Sequence, residues 1–269
     1  MTGAFAAATH VERVGASTWA AEIPPGWDVL GAVDGGVLLA IAGRAMRAAT
    51  GREPVTLTAH YLAPGRTGPV EVDVDVLRSG RTFTTARAVL RQGDRAVTAL
   101  LGTFGDLAED ADVLIQAHEP PAWPDPETLP RLTAPNDDGF PPAFVNRIDV
   151  RVHPEDAGFY EGRPAGRPVM RACLRLLDDE PIDAIGMLLA VDSLPPPTFN
   201  THLPVNWTPT IELTAHVRAV PVPGWLRIDT ATRFVSHGRL EVDGVIWDSA
   251  DRLVAQMRQL ALVPRPSAS

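Results

Sequence analysis

Leu57-Thr58-Ala59-His60 recurs letter for letter as Leu213-Thr214-Ala215-His216, at an offset of 156. Three further matches follow in the same order. Ser79-Gly80-Arg81 is echoed by Ser236-His237-Gly238-Arg239, with the arginines 158 apart. Asp94-Arg95 is echoed by Asp251-Arg252 at 157, and Gly36-Val37-Leu38-Leu39-Ala40 by Gly186-Met187-Leu188-Leu189-Ala190 at 150. A four-letter match alone is chance, whereas four in one order at nearly constant offset mark an internal duplication. The change from 150 to 156 places a longer loop after the second helix, and SLPPPTFNTHLP supplies it.

Each copy has the same grammar. In the first, Asp34 stands where a carboxylate accepts from the free N–H groups of a helix start. The helix is expected from about Gly35 to Ala49, with apolar residues at 37, 38, 41, 45 and 46 forming one stripe and Gly51 ending it. Val70, Val72, Val74 and Val76 alternate with Glu71, Asp73 and Asp75, the period of a half-buried strand. Turns at 78–81 and 92–94 separate it from two further strands, 82–90 and 96–104. The second copy reads as a short helix from Asp183 to Asp192, then strands near 210–219, 225–235, 239–247 and 252–263. Strands near 15–22 and 144–152 are expected to complete the two sheets. A helix followed by an antiparallel meander is an α+β pattern in which the sheet wraps the helix.

Between the copies, residues 118–143 carry eight prolines, from Pro120 to Pro142. Proline lacks a donor and fixes φ, so neither a helix nor a central strand runs through them. The organisation expected is a first unit over 1–117, a proline-rich surface connector over 118–143 and a second unit over 144–269.

Composition narrows the function. The formal net charge of −9, with no dense cationic window, argues against a nucleic-acid partner. The one cysteine, Cys173, allows no intramolecular disulfide and reads as a buried strand residue. The opening MTGAFAAATHVERVG lacks the marks of a secretory signal and no apolar run is long enough for a membrane span, so a cytoplasmic location is the expectation. Metal-ligand spacing of Cys and His, the Gly-x-Ser-x-Gly elbow, the P-loop and the dinucleotide fingerprint do not occur, and neither metal nor cofactor is expected. His60 and His216 read as strand residues inherited by duplication. His153 with Asp156 does not have the spacing of a hydratase dyad.

Gly35-Gly36 opening a helix, His60-Tyr61-Leu62-Ala63-Pro64-Gly65 at a strand end, and Leu77-Arg78-Ser79-Gly80-Arg81-Thr82-Phe83 mark the first half. Ala190-Val191-Asp192, Thr210-Ile211-Glu212 and Gln259 mark the second. In this order they resemble the medium- and long-chain acyl-CoA thioesterase II family, and the resemblance spans nearly the whole chain. It departs where the family's Thr-Ile-Asp-His is Thr210-Ile211-Glu212-Leu213. The resemblance implies a double hotdog, two tandem units forming one continuous sheet. It implies an acyl-CoA substrate, a homo-oligomer and hydrolysis through an activated water. The alternative is a hotdog protein that binds acyl-CoA or lipid without catalysis.

The family gives the water to an Asp-Thr-Gln trio, here Asp192, Thr210 and Gln259. Asp192 is the expected general base, its carboxyl pushed up by burial at a helix end. Thr210 and Gln259 are neutral and fix the water's direction. Gln256 and Gln259 are three apart in one strand and face opposite sides, and the resemblance selects Gln259. Backbone N–H groups at Gly35 and Gly36 are candidates to bind the developing oxyanion, or the two glycines serve only close helix packing. By the repeat offsets the first copy has Ala42, Pro54 and Gly102 in place of the trio, so one site per chain is expected. Arg66, Arg78 and Arg81 are candidates for the coenzyme A phosphates or for a solvated surface.

Overall fold

A computed structural model describes residues 3–108, 115–134, 140–177 and 180–263, so residues 135–139 of the connector lie outside the described part. The first copy contains α1 (Ala4–Ala8), β1 (Glu12–Arg13), β2 (Thr18–Ile23), β3 (Asp28–Val29), β4 (Ala32–Val33), α2 (Gly35–Thr50), β5 (Glu53–Tyr61), β6 (Gly68–Ser79), β7 (Thr84–Gln92) and β8 (Arg95–Gly105). The second contains β9 (Ile148–Val152), β10 (Val169–Leu176), α3 (Ala184–Ala190), β11 (Thr210–Val217), β12 (Leu226–Ala231), β13 (Val235–Ser236), β14 (Arg239–Trp247) and β15 (Leu253–Leu262). All strands but β3 and β4 join one 13-stranded sheet in the order β1-β2-β6-β7-β8-β5-β11-β15-β14-β12-β10-β9, with β13 on β14. The order reads alike from either end, as a duplicated unit joined about a two-fold axis requires.

The repeated tetrapeptide forms the seam. β5 and β11 run antiparallel, with Leu57 opposite Ala215, Thr58 opposite Thr214 and Ala59 opposite Leu213. Only the Thr58–Thr214 pair joins equivalent residues, so the pseudo-dyad passes through it, and the two hydroxyls hydrogen-bond at 2.8 Å. Register confirms the repeat at depth. Leu57 pairs with Gly102 on β8 as Leu213 pairs with Gln259 on β15, and each first strand carries a bulge at the same step, 54/56 and 210/212.

Each half-sheet curls over one helix. In β6, Val70, Val72 and Val74 are buried against it while Glu71, Asp73 and Asp75 face water, but Val76 is exposed where the register shifts before Arg78. Asp34 caps α2 by accepting from Val37 N–H at 3.1 Å, and Gly51 ends it with φ of 68°, a left-handed cap that glycine adopts without strain. The helices pack antiparallel at the centre. Side chains at Gly36 and Gly43, one face of α2, would meet the Leu189 carbonyl and the Leu188 side chain of α3. Arg47 in the last turn of α2 reaches Asp183, the cap of α3, at 3.2 Å.

Two expectations need correction. A strand does form near 144–152, but β9 is an outer edge strand, and the place equivalent to β2 belongs to β10. The buried alternate residues of β10, Met170, Ala172, Leu174 and Leu176, give it a full inner face. The connector is also more than a surface strap. Leu132 N–H donates to Val150 O, Arg151 donates to the carbonyls of Pro126 and Leu129, and the segment ends in buried Ala143, Phe144 and Val145. Among its described residues no α-helix or strand forms, although Pro126–Thr128 makes a 3-10 turn, and its apolar residues still find cover.

Candidate active site

Three elements of the second copy converge on one point. The chain turns out of α3 through Val191, so Asp192 lies just beyond the helix C-terminus. Thr210 is the first residue of β11, beside the bulge. Gln259 lies on the inner face of β15, 9% exposed, whereas Gln256 faces outward and accepts from Arg218. The Gln259 amide donates to Asp192 Oδ1 at 2.9 Å and to Thr210 Oγ1 at 2.6 Å. One side-chain nitrogen thus ties the trio together. Because Thr210 Oγ1 accepts here, its own hydrogen is free to donate elsewhere, as is the second carboxylate oxygen of Asp192 to accept.

The first copy supplies the opposite wall. Gly35 and Gly36 begin α2 directly against Asp192. A Cβ on Gly35 would collide with Asp192 Oδ2 and crowd the Tyr61 ring, and the Tyr61 hydroxyl donates to Gly35 O at 2.9 Å. Asp34 Oδ1 lies against Gly36 as Asp192 Oδ2 lies against Gly35, so the two carboxyls flank consecutive residues of the helix start. Of the two candidate oxyanion donors, Gly35 lines the cavity, whereas Gly36 is packed on Leu189 and Asp34 and does not.

Asp192 is half-buried because it borders a cavity, but protein surrounds it on the other sides. Burial pushes its carboxyl up to about 7, against the opposing hydrogen bonds from Gln259 and Gly36 N–H. Near neutrality such a group both holds and releases a proton, the property a general base needs. Asp34, 4% exposed, is held well above the ordinary carboxylate range, first by burial and then by the charge of Asp192.

The trio and Asp34 lie in the wall of a cavity of about 470 Å³. Its other surfaces are mostly apolar, from Val33 and Leu38 in the first copy to Phe199 and Trp207 in the long loop before β11. The connector adds Leu132 and Phe140, the start of the second unit adds Phe144, and the Phe140 ring stacks on Tyr160 at 5.6 Å.

The remaining candidates fall elsewhere. His60 and His216 are exposed on the outer sheet face. His153 accepts from Glu155 N–H, and Asp156 is fully buried in ion pairs with Arg171. Cys173 is buried in β10 and its thiol is pushed up to about 12 by burial, which makes it inert as a nucleophile. Arg66 donates to the Gly31 carbonyl, and Arg66, Arg78 and Arg81 are all exposed and do not line the cavity. Among the described residues no cluster of three His, Cys, Asp or Glu is placed to hold a metal, and no helix is long and apolar enough to cross a membrane.

Sequence reasoning missed two residues of the site. Asp34 was legible only as a helix cap, and Tyr61 only as part of a motif. A signal for Asp34 existed: a cap immediately before glycines expected at the site must itself lie beside the site.

Comparison with known proteins agrees with this architecture. Residues 23–105 match the acyl-CoA thioesterase N-terminal domain, and residues 125–263 the acyl-CoA thioesterase C-terminal domain. An uncharacterised protein of Mycobacterium tuberculosis is 29% identical over 90% of both chains. A candidate thioesterase II from Thermobifida fusca is 32% identical over 98% of both chains, and its crystal structure superposes with a TM-score of 0.88. A hotdog-fold protein of unknown function from Alicyclobacillus acidocaldarius, 20% identical, shares the fold over 99% of this chain and 100% of its own, with a TM-score of 0.84. With a tandem pair of such domains wrapped about two central helices, this chain belongs to the acyl-CoA thioesterase family of the hotdog fold.

Proposed function

We propose that the protein hydrolyses a fatty acyl-CoA to the free acid and coenzyme A through a water activated by Asp192. The observation that carries the reading is the Gln259 amide, which joins Asp192 and Thr210 at the wall of an apolar cavity. The acyl chain occupies the cavity and leaves its thioester carbonyl beside the trio. Ionised Asp192 takes one proton from the water, and the oxygen forms a bond to the carbonyl carbon. Thr210 and Gln259 hold that oxygen in line, and alignment alone is worth several kcal/mol. Gly35 N–H, at the positive end of α2, faces the developing oxyanion. The carbon–sulfur bond then breaks, and the thiolate of coenzyme A leaves with the proton that Asp192 held.

The trio is assembled from the second copy alone, so each chain carries one hydrolytic site. The other reading, an acyl-CoA or lipid carrier, uses the same cavity without the base. A panel of short to long acyl-CoA substrates with detection of the free thiol separates them. Thiol release by the native protein and its loss in Asp192→Asn support hydrolysis. Binding with no release from any substrate supports the carrier.

A further inference from the structure

The two carboxyls set against consecutive glycines in the wall of one cavity, Asp34 beside Gly36 and Asp192 beside Gly35, are not explained by helix capping and base catalysis taken separately. Serine, threonine or asparagine caps a helix as well as aspartate without bringing a charge. Here the cap is buried at 4% exposure and lines the same cavity as the proposed base. The donors around the pair are few. Val37 N–H serves Asp34, and the Gln259 amide serves Asp192. No arginine or histidine lines the cavity among the described residues.

Other titratable groups do not relieve the pair. Tyr61 on β5 lies against it, and burial, then the charges of Asp192, Asp34 and Glu212, hold the phenol protonated. Glu212 on β11 adds further negative charge. The first turn of α2 carries no acidic residue, all of α3 is apolar, and β15 offers only neutral Gln259. Asp28 on β3 is the remaining acid nearby in the chain, seven residues before Gly35. Two adjacent anions with two donors and no cation are not sustained in such a site, and one proton stays.

We propose that Asp34 and Asp192 work as a carboxyl pair that keeps one proton in the resting enzyme, Asp34 being the positioning residue that holds it while Asp192 stays ionised to meet the water. The inference rests on the function proposed above only for its kinetic consequence. When Asp192 accepts a proton from water the pair carries two. One passes to the departing thiolate and the one-proton state returns.

Infrared spectroscopy of the full chain tests the pair without any substrate. At about pH 8.5, above the range in which a lone Asp192 ionises, the native protein is expected to keep a deuterium-sensitive carboxylic-acid carbonyl band. Asp34→Asn, which retains the cap, is expected to lose that band, and so is Asp34→Ser should the asparagine fold poorly. A native protein with no such band, or a band unchanged in a folded Asp34 variant, overturns the proposal. The pH profile of kcat/KM adds a second readout. The native enzyme should lose activity on an alkaline limb as the last shared proton leaves, and Asp34→Asn should shift that limb by at least about one pH unit or abolish it. An identical limb in both counts against the pair. The band with no hydrolysis leaves the pair standing and removes the thioesterase; hydrolysis with no band does the reverse.

Discussion

Replacing Asp192 by asparagine should abolish turnover and, at the same time, make the folded protein more stable at alkaline pH. The carboxyl rises from 3.8 to about 7 on folding, chiefly through burial. An acid with a raised folded pKa costs stability once pH passes its unfolded value, and the cost grows until pH reaches the folded value. Three units at 1.36 kcal/mol each set a ceiling of about 4 kcal/mol. Burial of Asp34 persists in the variant and the cavity admits water, so about 2–3 kcal/mol is the expectation at about pH 8.5. Near pH 4 both forms are neutral and the gain should vanish. For a chain of this size that gain is about 4–10 °C in Tm. Urea unfolding of both proteins at about pH 5 and about pH 8.5 measures it, and the advantage of the variant should grow with pH. Equal midpoints at both pH values, or an advantage that shrinks as pH rises, would show that Asp192 is not held in a desolvated site.

Other perturbations probe separate parts of the account. Gly35→Ala puts a methyl where Asp192 Oδ2 sits; steady-state kinetics should show kcat/KM lowered at least about tenfold with a native circular dichroism spectrum, since a small misplacement at the reacting centre has this effect. Gln259→Leu removes the donor to both Asp192 and Thr210, so kcat should fall about a hundredfold with KM little changed, on the scale of losing one positioned donor. At the seam, Thr58→Val breaks the 2.8 Å bond to Thr214, and Thr214→Val breaks that bond and its 2.6 Å bond to Glu212; the first should cost about 1 kcal/mol by chemical denaturation, the second more, with a double variant short of the sum.

Most of the architecture was legible because duplication prints itself in sequence. The Leu-Thr-Ala-His repeat located both copies, and the valine alternation of β6 located a strand. What it could not print was the partner of each strand. Nothing in Leu57–His60 says that it pairs with its own duplicate, because edge-to-edge joining depends on long-range register. The first strand of the second copy was misplaced for a related reason: β9 and β10 are both apolar, and only topology decides which is central. Asp192, Thr210 and Gln259 were reachable through family resemblance, and Gln259 over Gln256 through strand alternation. Asp34 was not, since a helix cap and a buried carboxyl facing another carboxyl look the same in one dimension. The connector hid its apolar half behind its prolines.

Free-thiol release from a panel of acyl-CoA substrates, followed across pH for the native chain and Asp192→Asn, bears most directly on the role of the Asp192–Thr210–Gln259 cluster. The account predicts turnover in the native chain that rises with an apparent pKa near 7 and falls by orders of magnitude in the variant. Native turnover that is matched by Asp192→Asn at every pH would contradict it.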